Sequence, residues 1–253
     1  MLRKKMMWAM AVLTVAVAAQ AQTVDELIAK NLAARGGKEK ILAIQSAKLT
    51  GKMSVGPGVD APFTMEWRRP SSVRLEFTVQ GMTGVQAYDG TTGWMLMPSP
   101  GKSDPETMAD EDLKDVAETA DFDGPLVDYR SKGHSVELIG KEAVAGADAY
   151  KLKLTKKGGE VSYVFLDAES SLEVKTSGSR ALHGEEHEFE TSSSDYKEVS
   201  GILFPFTQEM KAQGAPAGQV MTIETIDLNT DEPADRFKMP EKKPAEPAKP
   251  PVR

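Results

Sequence analysis

The chain has no cysteine. That excludes a disulfide scaffold, and it excludes acylation on a cysteine after export. It has only three histidines, which leaves few candidates for a metal set or a general base. Beyond the first twenty-odd residues no segment is apolar enough to cross a bilayer. There is no G-x-S-x-G nucleophile elbow. "GKEAVAG" at 140–146 lacks the spacing and the Lys-Ser/Thr end of a phosphate-binding loop, and "YDGTTG" reads as a hairpin turn. No internal repeat is evident.

What is present begins with "MLRKKMMWAMAVLTVAVAAQAQ". Arg3, Lys4 and Lys5 precede an apolar run from Met6 to Ala19 and an Ala19-Gln20-Ala21 site. This is the pattern of a secretory signal peptide, and the run is shorter than the roughly 20 residues of a spanning helix. The expected product is exported and soluble, cut after Ala21. Losing those three cations moves the formal charge from -7 to -10. An acidic surface argues against nucleic acid and against charge-driven docking on anionic headgroups. At the other end, "MPEKKPAEPAKPPVR" is proline-rich and charged, so 240–253 is expected to be a disordered tail.

Between these ends the periodicity changes once. In "TVDELIAKNLAARGG", Thr23 and Glu26 have capping-box spacing, and Val24, Leu27, Ile28 and Leu32 make one apolar stripe. A short helix over Lys38 to Ile44 follows. From Ser46 the period is two, with strands expected near 46–55, 60–69, 72–80, 83–89 and 92–97. The acidic stretch 102–133 lacks alternation, and the spacing predicts helices over 105–119 and 124–131. Strands resume near 135–142, 148–155, 160–167, 171–179, 184–198, 201–212 and 217–228. The fold class is mainly β, a strongly curved antiparallel sheet with helices on its one apolar face, in one domain over 22–239.

The first sheet segments hold the apolar candidates for a binding wall: Phe63, Met65, Trp67, Leu75, Phe77, Trp94 and Leu96. In "FTMEWRRPSSVRLEF", Arg69 continues the row Phe63, Met65, Trp67 because alternate residues share a face. Taken alone this pattern favours an ordinary core under the helices over a ligand wall, and the sequence by itself does not separate the two. The one dense polar cluster, "LHGEEHEFE", puts His183, Glu185 and His187 on one side of a strand. Such groups ligate zinc or iron, but a straight strand does not close them on one ion. A metal-dependent hydrolase there is the least favoured reading. The acidic runs Asp110 to Asp115 and Glu185 to Glu190 read as solvated faces.

"EWRRPSSVRLEF" followed by "GVQAYDGTTGWMLMP" resembles the sheet core of the periplasmic outer-membrane lipoprotein carrier (LolA-like) family. "YVFLDAESSLEVKTSG" and "DYKEVSGILFPFTQEM" resemble hairpins of the broader lipoprotein-sorting group, and "IDLNTDEPADRFKMP" resembles its closing segment. The resemblance spans most of 24–240. It implies an unclosed half-barrel of about eleven strands, its concave apolar side plugged by helices. It further implies a monomeric periplasmic carrier, without cofactor, catalysis or metal, that shelters acyl chains of lipoproteins or lipids. An inner-membrane release complex and an outer-membrane acceptor are the implied partners. In that family the arginine before the proline, here Arg69, hydrogen-bonds the helical lid. The insert at 102–133 departs from the family pattern. A non-catalytic envelope protein whose half-barrel is merely filled by its helices is the alternative.

Overall fold

The computed structural model describes residues 22–56, 58–97, 104–182, 185–212, 215 and 217–241. The expected signal peptide and most of the expected tail lie outside them. The chain opens with α1 (Val24–Ala34) and α2 (Lys38–Ala43). The capping box forms as the spacing predicts: the Glu26 amide donates to Thr23 Oγ1 at 3.3 Å, and the Thr23 amide donates to Glu26 Oε2 at 2.8 Å. Gly36, at φ +115°, joins the helices where they press on the Ser200–Gly201 turn. A Cβ there would stand 2.1 Å from the Gly201 carbonyl oxygen, so only glycine fits.

The strands are β1 (Ser46–Gly56), β2 (Val59–Arg68), β3 (Ser72–Val79), β4 (Met82–Tyr88), β5 (Gly93–Leu96) and β6 (Glu106–Thr107). After α3 (Asp110–Thr119) come β7 (Ser135–Val144), β8 (Ala147–Thr155), β9 (Val161–Asp167), β10 (Glu173–Leu182), β11 (Glu185–Val199), β12 (Ile202–Ala212) and β13 (Gln219–Leu228). They form one antiparallel sheet ordered β6-β5-β4-β3-β2-β1-β13-β12-β11-β10-β9-β8-β7. The sheet does not close: among the described residues β6 and β7 are its two edge strands. Thirteen strands stand where about eleven were implied, the extra ones including the two-residue β6 that no alternation announces.

The insert is half as helical as expected. α3 occupies 110–119, but 121–134 is a run of turns with no helix. Gly124 at φ +84° and Asp128 at φ +51° hold backbone that a helix excludes. The side chains of this run bind other elements. Lys38 pairs with Asp128 at 2.5 Å and Arg130 forks onto both Asp25 oxygens at 2.9 Å, while Lys132 Nζ braces the run internally, donating to Asp121 and to the Gly124 carbonyl. The turn run therefore ties α1 and α2 together. Among the described residues no helix is long and apolar enough to cross a membrane.

The core is divided. Leu27 and Ile28 of α1 pack with Leu126 and Tyr129 on Leu152, Val164 and Leu166 of β8 and β9. A second cluster joins Leu49, Met53, Phe63, Phe206, Ile223 and Ile226 across β1, β2, β12 and β13. A third sits under α3, where Val116 and Met108 meet Val73.

Candidate functional site

Register brings the expected wall together on β2 and β3. Phe63 lies opposite Phe77, Met65 opposite Leu75, and Trp67 opposite Val73; directly opposed residues share a face. β1 adds Leu49 opposite Met65, and β13 adds Met221 opposite Met53. This concave face is not packed solid. It holds a trough of about 640 Å³ lined by these residues, by Ile223, and by Val116 and Thr119 of α3. Six of the lining side chains are methionines, Met53, Met65, Met97, Met108, Met210 and Met221. Thioether chains have three rotatable bonds and adapt to a guest's shape.

Trp94 and Leu96 belong elsewhere, which corrects the expectation. Leu75 pairs with Gln86, while Val85 pairs with Leu96 and Ala87 with Trp94. The apolar row of β5 that carries Trp94 thus faces the convex side. Trp94 is buried there beneath the C-terminal 3₁₀ turn (Ala234–Phe237), its Nε1 donating to the Phe237 carbonyl at 2.9 Å. Leu96 packs in the same cluster with Met239. The turn is pinned by Arg236, which forks onto the buried Glu66 at 2.7 and 3.1 Å. On β5 the residues facing α3 are Gly93 and Met95. A Cβ on Gly93 would lie 2.7 Å from Leu113 of α3, so helix and sheet meet there at close range.

Arg69, one residue past β2 and two beyond the trough-lining Trp67, is not itself part of the trough's lining and reaches instead to α2 and the turn run. Its Nε donates to the Ile44 carbonyl at 2.5 Å and one terminal nitrogen to the Ile41 carbonyl at 3.2 Å, both at the end of α2. The two terminal nitrogens also fork onto Asp123, at 2.9 and 2.6 Å. Asp123 is 9 % exposed at its side chain and Arg69 27 %. Hydrogen bonding to Asp123 raises the guanidinium's pKa above its ordinary value, against burial, which lowers it. The guanidinium therefore ends an apolar row without being unpaired: it locks α2 and the turn run to the sheet. Trp67 does the same for α3, its Nε1 donating to the Thr119 carbonyl at 2.7 Å while its ring meets Phe122 edge-on at 5.6 Å.

Sequence reasoning missed Asp123. The signal was there, an aspartate before Gly-Pro in a stretch that otherwise reads as solvated, but nothing local says that it faces an arginine 54 positions earlier. It also missed Arg35, whose guanidinium donates to the Asp123 carbonyl at 3.3 Å. Of the polar cluster, His183 and the Glu185 side chain lie outside what the structure describes, and the His187 ring stands 6.4 Å from Phe189. Among the described residues no group of three His, Asp or Glu side chains is placed to hold a metal ion.

No protein-family model matches this chain, and no curated protein matches its sequence. Solved structures do match in shape. A DUF1329 family protein from Desulfovibrio piger is 14% identical at TM-score 0.58, over 83% of this chain and 95% of that one. A LolA superfamily protein from Nitrosomonas europaea is 13% identical at TM-score 0.55, over 86% of this chain and 98% of that one. A domain assigned to outer-membrane lipoprotein sorting from Vibrio parahaemolyticus is 10% identical at TM-score 0.55, over 84% and 94%. The fold is LolA-like, as the sequence motifs implied. At these identities the likeness establishes the architecture, and the use made of it rests on the site.

Proposed function

We propose that this protein is a non-enzymatic periplasmic carrier that shelters acyl chains of lipids or lipoproteins in the trough, with Arg69 and Asp123 latching its cover. The observation that carries this reading is an apolar, methionine-rich trough left unfilled by helices that polar contacts hold in place. Arg69 makes four side-chain hydrogen bonds, each worth about 1.5–3 kcal/mol when charged. An acyl chain gains about 0.8 kcal/mol per buried methylene, so a chain of about fifteen methylenes competes with the whole latch. Part of that gain is offset where the guest displaces apolar contacts of the cover. A cargo with two chains exceeds the latch comfortably, and a short single chain does not.

The test is displacement of an apolar fluorescent probe from the purified chain by diacyl lipid, together with mass spectrometry of solvent extracts from protein isolated out of the envelope. The expected result is probe binding, competition by long diacyl lipids, and copurified acyl species. A protein that binds no probe, before or after Arg69→Leu, is a filled half-barrel with a structural role instead.

A further inference from the structure

A second cavity, of about 830 Å³, lies on the concave face over β9 to β12, on the other side of α3 from the trough. Asp115 and Met210 line both cavities, so the two meet along α3. Their walls differ in balance. The trough is walled mainly by hydrocarbon and thioether groups, with Gln86, Gln208, Gln219 and the α3 carboxylates Asp112 and Asp115 among its lining. The second cavity keeps an apolar floor at Val164 and Phe189, but register sets the hydroxyls of Ser162, Thr176 and Thr191 on the same face beside them. Five carboxylates also stand over it, Glu160 and four on α3 (Asp110, Glu111, Asp115 and Glu118), against the ammonium groups of Lys114 and Lys156. Lys156 already pairs with Glu118 at 2.5 Å. The acidic face of α3, which reads in sequence as a solvated surface, thus overlooks a chamber.

We infer that α3 divides one amphiphile-binding cleft into a tail chamber and a head chamber, and that the head chamber takes an ammonium-bearing polar head without net negative charge. This rests on the carrier reading, which it deepens by naming the cargo's head. The geometry supports the division: the two chambers adjoin at Asp115 and Met210, so a molecule with one apolar and one polar end spans both by passing α3 there. The chemistry sets the sign. Hydroxyls donate and accept toward a polar head, carboxylates only accept, and an ammonium offers three donors and no acceptor. A phosphate-only head brings acceptors and negative charge to a wall that already carries both, and like charges repel it.

The experiment uses the delipidated full chain with the apolar probe bound. Competing lipids share the same two acyl chains and carry ethanolamine, lysyl-glycerol or glycerol on the phosphate. A diacylated dipeptide containing lysine supplies the same ammonium from the other source. The ammonium-bearing competitors are expected to displace the probe at about tenfold lower concentration than the glycerol head. That preference should shrink to about twofold in Asp110→Asn/Glu111→Gln, both solvent-facing positions, and fade in high salt. Either ammonium source outcompeting the glycerol head supports the inference. Equal displacement by all heads in the unaltered protein overturns it while leaving the carrier reading standing. No displacement by any of them overturns the carrier reading itself and the inference with it. Should the double variant unfold, Glu111→Lys alone, with circular dichroism to verify the fold, must reverse the order of heads.

Discussion

The two halves of the sheet are covered in different ways, and the difference shows what turns a core into a container. Over β8 and β9, α1 buries Leu27 and Ile28 against Leu152, Val164 and Leu166, all nearly or wholly inaccessible, and this patch is packed, the second cavity opening past its margin at Val164. Over β1 to β3, α3 buries only Val116 in its own length and leaves the trough beside it. The strands alternate alike in both halves. What differs is the cover: α1 carries an apolar stripe two turns long, whereas α3, with sequence "DEDLKDVAET", has acidic residues on most of its surface. A helix with so little to bury cannot fill a hollow, so it is held by its end, through Trp67 and the Thr119 carbonyl.

The sharpest way to break the comparison is to cut the same volume from each half. Leu152→Ala, in the packed patch, is expected to cost about 2–5 kcal/mol by the usual cavity penalty. Leu75→Ala, in the trough, removes a side chain that already borders empty space and is expected to cost under about 1.5 kcal/mol. Urea denaturation of both variants measures this, and equal losses would mean that the trough is a packed core. Next in size is the latch. Asp123→Asn removes the counter-charge in direct contact with Arg69 and leaves it two carbonyl acceptors, an amide oxygen and the weaker pull of Asp121. It should cost about 1–3 kcal/mol while speeding probe entry, followed by stopped-flow fluorescence. Arg69 is partly exposed, which keeps the figure below that of a fully buried pair.

A smaller effect belongs to Trp67→Phe. It keeps a ring against Phe122 but loses the hydrogen bond to Thr119, for about 1 kcal/mol. Amide exchange should accelerate in α3 and not in α1; equal acceleration in both would contradict the separate anchoring of α3.

The smallest effect is a matter of pH. Burial pushes the Glu173 carboxyl above its ordinary value, against the pull of Arg35. A carboxyl whose folded pKa is raised favours folding most below the unfolded value near 4.5, and that contribution is lost as pH rises through the folded pKa. Glu173→Gln should therefore raise the melting temperature at pH 7 and leave it unchanged at pH 4. Asp25 runs the other way. Arg130 and Tyr129 hold its carboxyl below the usual range, so its contribution is present above about pH 3.8 and falls away in stronger acid.

Much of the fold was legible. The capping box, the switch of period at Ser46 and the turn dipeptides locate α1 and nearly every strand to within two or three residues, because each rests on local backbone chemistry. The wall residues of β2 and β3 were legible for the same reason, and so was Arg69 at the end of their row. Trp94 was not. Alternation says that two rows share a strand but not which row faces a helix, and one residue of register reverses the answer. The expected helix at 124–131 is replaced by turns, with Gly124 and Asp128 at positive φ, and its charged residues reach α1 and α2, contacts that no local period announces.

By itself, then, the order of residues determined a sheet of alternating strands, an amphipathic first helix and an arginine closing an apolar row, all consequences of backbone geometry and spacing. Only the folded chain decided that a carboxylate meets that arginine, that one aromatic backs the sheet instead of lining it, and that two cavities share α3. Those depend on which distant segments come to rest against each other, and no local period encodes that.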